Sequence, residues 1–209
     1  MEKKKVSEAV IRRLPRYYRY LQELKAEGIT RISSNKLSER MGYTASQIRH
    51  DFNCFGGFGQ QGYGYNVADL CKEIGNIIGA GRKYNVIVVG AGNIGQALAR
   101  YEGFRTEGFE VCALFDADEA IIGRNVSGLP VFSMQQLPEY CKAHNIHIAA
   151  ICVPKQFAAN VAKTVMDSGV QAIWNFAPVD LFLPSVTIEN VSLSDSLFVL
   201  AYRMNETNP

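Results

Sequence analysis

The sequence predicts an α/β protein in two parts, residues 1–83 and 84–209, with a doubly wound parallel sheet in the second. Three observations predict it. The β-branched run Asn85-Val86-Ile87-Val88-Val89 stops at the first glycine of Gly90-Ala91-Gly92-Asn93-Ile94-Gly95, and Ile94, Ala97, Leu98 and Tyr101 then recur at helical spacing. Strand and helix patterns alternate beyond that point, as a parallel sheet requires. Before residue 84 the patterns are almost wholly helical, and the charge changes sign. Residues 1–83 carry 15 Lys and Arg against 8 Asp and Glu, a net +7, whereas residues 84–209 carry 7 against 12, a net −5.

A hydrophobic fraction of 47% over 209 residues suits one large or two small globular domains. No stretch approaches the ~18 to 20 apolar residues of a membrane helix, and Met1-Glu2-Lys3-Lys4-Lys5 leads into an amphipathic segment. A cytoplasmic protein without a membrane partner is expected. Five cysteines (Cys54, Cys71, Cys112, Cys141, Cys152) include no Cys-x-x-Cys pair, which argues against zinc and against a disulfide framework. Cys112 and Cys152 sit in apolar runs and read as small buried hydrophobes.

In the first part, Val10, Leu14, Tyr17, Tyr18, Leu21 and Leu24 mark a helix from Val6 to Glu27, with Pro15 expected to break it or start its second half. Gly28 ends it. A short helix fits Ser34 to Met41, Gly42 makes a turn, and Thr44-Ala45-Ser46-Gln47 is a capping box for the next helix. This is the helix-turn-helix outline, in which the first residues of the second helix meet base edges. Here they are Ser46, Gln47, Arg49 and His50, with Arg12 and Arg13 as candidates for phosphate contact. Taken singly, each also suits a solvated helix face. The run Phe55-Gly56-Gly57-Phe58-Gly59-Gln60-Gln61-Gly62-Tyr63-Gly64-Tyr65 tilts the balance, because glycines alternating with aromatics fit the β-hairpin wing of a winged helix. The wing would bring Gly59 and Tyr63 to the DNA. Val67, Leu70, Cys71, Ile74, Ile77 and Ile78 then mark a helix that joins the two parts.

In the second part the glycine spacing has a physical meaning. Gly90 permits the tight turn, Gly92 admits a pyrophosphate, and Gly95 lets the helix pack on the strand, while the helix start offers N–H groups to phosphates. This is the Rossmann fingerprint for a dinucleotide, held by Gly90, Ala91, Gly92, Asn93, Ile94 and Gly95. A second strand near Phe109 to Phe115 ends at Asp116, where such folds place the carboxylate that bonds the ribose hydroxyls. Its charge repels a 2′-phosphate, so the expected cofactor is NAD(H) and not NADP; Asp118 is the neighbour that could serve instead. Later elements follow as a strand at 129–132, a helix opened by Ser133-x-x-Gln136, a strand at 146–153, a helix at 156–168 and a strand at 172–174. Val153-Pro154 and Asn175-Phe176-Ala177-Pro178 then lie beyond strand ends, as walls for the nicotinamide half or as simple turns. His144 and His147 read as loop histidines. About 125 residues leave no room for a catalytic domain, which points to a sensor rather than an enzyme. The terminal run Leu197 to Tyr202, after the cap Asp195-Ser196, is apolar on every face. It reads as a helix, Phe198 included, buried in a second subunit by exchange, or else as a last strand of the sheet.

With both parts placed, the chain resembles Rex, the family of bacterial redox-sensing transcriptional repressors. The resemblance runs through Arg31-Ile32-Ser33-Ser34, Thr44-Ala45-Ser46-Gln47-Ile48-Arg49, Phe58-Gly59, Gly62-Tyr63-Gly64-Tyr65, the glycine loop, Asn175-Phe176-Ala177-Pro178 and Glu189-Asn190-Val191. It implies a homodimer with exchanged terminal helices that binds a palindromic operator in double-stranded DNA until NADH displaces it. It also implies a switch that couples an Arg of the first helix, a Tyr after the glycine loop and an Asp near the end. Arg19 and Tyr101 match, but Ser192 stands at the Asp position, which leaves Asp195 as the substitute. His50 replaces the family's usual Lys and Gln60-Gln61 its usual basic wing residue, changes that bear on DNA affinity. The competing expectation is an NAD-dependent oxidoreductase with an accessory basic domain.

Overall fold

The computed structural model describes residues 6–56, 58 and 63–207. The chain divides into two compact units, Met1–Arg82 and Lys83–Pro209.

The first unit opens with α1 (Glu8–Ala26), which runs unbroken through Pro15, contrary to the sequence expectation. Val10, Leu14, Tyr17, Leu21 and Leu24 form one buried stripe on it. That continuous packing outweighs the roughly 3 kcal/mol that an interior proline costs. Next come β1 (Arg31–Ile32), α2 (Ser34–Met41), α3 (Ala45–Asn53), β2 (Tyr65–Asn66) and α4 (Val67–Ile78). β1 and β2 pair antiparallel. α4 packs along α1, closely enough that a Cβ at Gly75 would lie 2.9 Å from the Tyr18 ring. Around Tyr17, Ile48, Phe52 and Ile74 the core also takes in Phe55, Phe58 and Tyr65. The aromatics of the glycine-rich segment therefore turn mostly inward, with Tyr63 exposed.

The second unit contains β3 (Tyr84–Val89), α5 (Asn93–Arg100), α6 (Gly103–Thr106), β4 (Phe109–Asp116), β5 (Asn125–Val126), β6 (Leu129–Ser133), α7 (Leu137–His144), β7 (Ile148–Ile151), α8 (Lys155–Asp167), β8 (Ala172–Asn175), β9 (Thr187–Asn190) and α9 (Leu193–Thr207). The sheet order is β5-β6-β4-β3-β7-β8-β9, parallel except for the short β5. The order reverses direction at β3, so crossovers to its two sides put helices on opposite faces. One face buries Ile87, Val89, Phe115 and Ile151 with residues of α7 and α8. The other buries Val88, Leu114 and Ala150 with Leu98 and Ala99 of α5.

Strand register aligns Phe132, Phe115, Val89, Ile151, Asn175 and Asn190 in one row across six strands. The residues that follow this row begin the loops of one sheet edge, and these loops hold the residues that the sequence offers for a dinucleotide. The terminal segment is a helix, α9, which starts at Leu193, so Asp195-Ser196, expected as its cap, lie inside its first turns. The last strand is instead β9, which sequence patterning did not mark. None of the described helices is long and apolar enough to cross a membrane.

Candidate nucleotide site and nucleic-acid interface

The glycine loop leaves β3 as the spacing predicts, and each glycine has its own reason. A Cβ at Gly90 (φ +99°) would lie 2.5 Å from the Cys152 carbonyl oxygen and 3.1 Å from Val153, and one at Gly95 would overlap the Gly90 carbonyl. Those two glycines serve the protein's own packing. Gly92 is different. Its φ of −75° suits any residue, and a Cβ there would meet no protein atom within 4 Å. The space over Gly92 therefore fits a ligand backbone. No side chain caps α5, so its first N–H groups are left for an anion such as a pyrophosphate.

Asp116, which follows the row's Phe115 on β4, lies against this loop. Its Oδ2 accepts from the Ala91 N–H at 2.6 Å, and its Oδ1 accepts from the N–H groups of Ala117 (2.7 Å) and Asp118 (3.0 Å). Asp118 turns to its own loop, accepting from the Ala120 N–H at 2.9 Å. Of the two carboxylates, Asp116 is thus the one held at the glycine loop. Beside it opens a cavity of about 390 Å³, lined among others by Ala117, Ile122, Ser133, Met134 and Gln135. Sequence reasoning did not single out these cavity residues. The signal was present in the Ser133–Gln136 capping box, which forms and fixes a helix start at the end of β6.

Val153 borders Gly90, and Pro154 opens α8 at its exposed start. Ala177 is buried and Pro178 exposed on the loop after β8. Asn175, expected to face the cofactor, is instead fully buried, and both its amide hydrogens are engaged, by the Val179 carbonyl (2.7 Å) and by Asn190 Oδ1 (2.9 Å). It shapes the loop rather than offering a donor to a ligand. His144 and His147 lie toward the opposite sheet edge. His147 Nδ1 accepts from the Asn85 N–H at 3.0 Å, and His144 stacks on Tyr140.

In the first unit Thr44 caps α3 by accepting from the Gln47 N–H at 3.1 Å, and Gly42 (φ +71°) closes α2. This capped turn exposes Ser46, Arg49 and His50, with Gln47 half-buried. Arg49 reaches across to donate to Ser34 Oγ at 2.9 Å. Ile48, Asp51 and Phe52 point inward. Arg12 pairs with Glu8 on the exposed face of α1. Arg13 departs from its expected phosphate role: its guanidinium turns inward to donate twice to Asp51, at 2.6 and 2.7 Å. Tyr17 donates to the same carboxylate at 2.7 Å, and burial together with this bond pushes its hydroxyl pKa up. Tyr63 is 72% exposed, while Gly59 and Gln60-Gln61 fall outside the described residues.

Of the residues expected to act as a switch, Arg19 is exposed on α1. Tyr101 is exposed in the second unit, edge-on to Phe104. Ser192 donates to Asp195 Oδ1 at 2.8 Å at the start of α9, where Phe198 stands exposed.

Comparison with known proteins places these features. Residues 81–179 match the family "CoA binding domain", and residues 5–53 match the family "Putative DNA-binding protein N-terminus". The chain is 53% identical over 204 residues to the redox-sensing transcriptional repressor Rex of Clostridioides difficile (strain 630), covering 97% of each chain. The chain belongs to the Rex family. Rex of Clostridium perfringens (strain SM101 / Type A) is 50% identical over 210 residues, which are 100% of this chain and 99% of that one. Two solved structures of the Rex-family repressor RSP are similar throughout. RSP with β-NAD⁺ and operator DNA superposes with a TM-score of 0.91 at 48% identity, covering 98% of this chain and 94% of that one. RSP with β-NADH gives 0.89 at 45% identity, covering 98% and 96%. This family is one of repressors with a DNA-binding unit and a Rossmann-like nucleotide unit, as the sequence patterns imply.

Proposed function

We propose that this chain is a cytoplasmic, non-enzymatic repressor that binds a palindromic operator as a homodimer and leaves it when NADH binds. The observation that carries the reading is the coexistence, in one chain, of a capped helix presenting Ser46, Arg49 and His50 and a glycine loop with open space over Gly92. The residue range 1–83 serves the DNA, with Arg49 toward a base edge, Arg12 toward phosphate and Tyr63 from the wing. The range 84–209 serves the nucleotide: α5 and Gly92 take the pyrophosphate, Asp116 the adenosine ribose, the cavity beside Asp116 the adenine, and Val153, Pro154, Ala177 and Pro178 border the nicotinamide.

Two surfaces support the dimer. α9 exposes Leu197, Phe198, Leu200 and Tyr202, each more than half accessible. In the same unit a cleft of about 400 Å³ opens over the sheet between Phe104, Ile148, Ala150 and Trp174. A second copy's α9 supplies the apolar helix this face lacks, and the exchange is reciprocal. Closure of that interface favours the neutral reduced ring over the cationic oxidised one, and it alters the spacing of the two α3 helices. Arg19, Tyr101, Asp195 and Phe198 carry the coupling between the ends of the molecule.

Linkage supplies the test, because operator must weaken NADH binding by the same factor by which NADH weakens operator binding. NADH affinity is measured by its fluorescence with and without saturating palindromic operator. A clear loss with operator is expected. Unchanged affinity overturns the sensor reading, and turnover of NADH with a metabolite would point to an oxidoreductase instead.

A further inference from the structure

The row that carries the glycine loop ends in two residues that break its apolar character. Val89 and Ile151 enter the core from that row, yet the next two positions, on β8 and β9, are Asn175 and Asn190. Packing alone does not call for amides there, since apolar side chains fill the rest of the row. Their hydrogen bonds show what they do. Besides its bonds to the Val179 carbonyl and Asn190, Asn175 accepts from the Ala177 N–H at 3.1 Å. Asn190 accepts from the Leu181 N–H at 3.0 Å and donates to the Leu181 carbonyl at 3.2 Å. The turn from 177 to 181 is thereby tied at three residues to two side chains of rigid strands.

Position gives this a consequence. With neighbouring strands about 4.8 Å apart, Asn175 lies about 10 Å and Asn190 about 14 Å along the sheet edge from the strand that feeds the glycine loop. They are far from the pyrophosphate and beside the wall formed by Ala177 and Pro178. We propose that Asn190, acting through Asn175 and Leu181, is a positioning residue for the nicotinamide half: it touches no ligand but holds the 177–181 turn where the ring packs. The inference rests on the proposed dinucleotide site. A wall fixed before binding spares the ordering cost that a loose loop would impose on the ligand.

The test uses the whole 209-residue chain with Asn190→Leu and Asn190→Asp. Two ligands are titrated by calorimetry: NADH, and ADP-ribose, which keeps the adenosine and the pyrophosphate but lacks the nicotinamide. Loss of the Asn190 bonds should weaken NADH about tenfold, while ADP-ribose changes less than twofold. Emission of bound NADH should shift toward that of NADH in water. Asn190→Asp keeps oxygens to accept from Asn175 and Leu181 but loses the bond to the Leu181 carbonyl, so its NADH loss should be smaller and of the same selectivity. Equal losses for both ligands would reduce the pair to a general structural role and overturn the inference, as would unchanged NADH affinity. If Asn190→Leu fails to fold, the ratio measured for Asn190→Asp decides. A wild type that binds neither ligand would instead overturn the nucleotide site, and this inference with it.

Discussion

Among the described residues, each unit buries a carboxylate or amide side chain completely at the root of its proposed binding surface, and the two are chemically opposite. In the first it is Asp51, a charge held by Arg13 and Tyr17; in the second it is Asn175, a neutral amide held by backbone groups and Asn190. Asp51 lies on the inner face of α3, whose outer face carries Ser46, Arg49 and His50, so its two-pronged bond to α1 fixes the rotation of a whole helix. Asn175 governs only a turn. An ion pair whose carboxylate is out of water gains from geometry but leaves a costly charge if the cation goes, whereas an amide network can be weakened bond by bond. A helix that must present several side chains at once is served by the stiff device, and a wall that must only border a ring by the graded one.

The sharpest way to break this contrast is to remove one half of the charged pair. Arg13→Ala strands Asp51 with Tyr17 alone and should cost the first unit about 3 to 5 kcal/mol in denaturant unfolding. Replacing both, Arg13→Met with Asp51→Leu, should bring stability back to within about 1 to 2 kcal/mol of wild type or above it. The preference for operator over random DNA should stay reduced, because the apolar pair holds α3 without fixing its rotation. If the double variant recovers both stability and preference, the pair only stabilises the fold.

In the second unit, Gly92→Val separates ligand from fold. Its Cβ meets no protein atom, so the thermal midpoint should stay within about 2 °C of wild type, while NADH and ADP-ribose both weaken at least about a hundredfold. A variant that binds normally would show that the space over Gly92 is not the pyrophosphate path. A smaller effect is expected for Asp116→Ala. Losing a charged acceptor near the ribose should cost NADH about 1.5 to 3 kcal/mol, and NADPH less, since its 2′-phosphate no longer meets a carboxylate. Calorimetry with both dinucleotides measures the narrowing, and a wild type that binds them equally would remove Asp116 from the ribose.

How much of this was legible in the sequence follows the physics of each signal. The glycine loop, the strand end at Asp116 and the capped α3 were readable because spacing or local caps determine them; the terminal segment showed only an apolar run that suited helix or strand, and its expected cap, Asp195-Ser196, lies inside the helix. Pro15 misled because propensity speaks for a break, while the buried stripe of α1 overrides it. Arg13 misled because sequence shows a cation but not the carboxylate 38 positions away that captures it. β9 was missed because three of its four residues, Thr187-Ile188-Glu189-Asn190, are polar and the segment shows no apolar run. Asn175 was found by its place at a strand end, but its inward role needed its register with Asn190.

The smallest expected effect sharpens the comparison at high pH. Burial pushes the Cys141 thiol up to about 11 and the Cys152 thiol up to about 12, both in the second unit. A thiol whose folded pKa is raised binds its proton more tightly when folded, so its contribution is complete below the unfolded pKa near 8.5 and is lost as pH climbs toward the folded value. About one pH unit above the unfolded pKa, each thiol should withdraw roughly 1.4 kcal/mol from that unit, since unfolding then releases a proton. In the first unit burial raises the Cys71 thiol, whose loss starts from the same unfolded pKa, and the Tyr17 hydroxyl, whose loss begins later because an unfolded tyrosine ionises only near pH 10, so the readout must report the second unit alone. Unfolding followed by tryptophan fluorescence isolates the second unit, because Trp174 is the single tryptophan of the chain. The midpoint should fall between pH 8 and pH 10, and Cys152→Ala should make that fall shallower even if it lowers the midpoint at pH 8. Native protein at pH 8 should also leave both thiols unmodified by iodoacetamide. An equal pH slope in wild type and Cys152→Ala would show that the Cys152 thiol is not held protonated by burial.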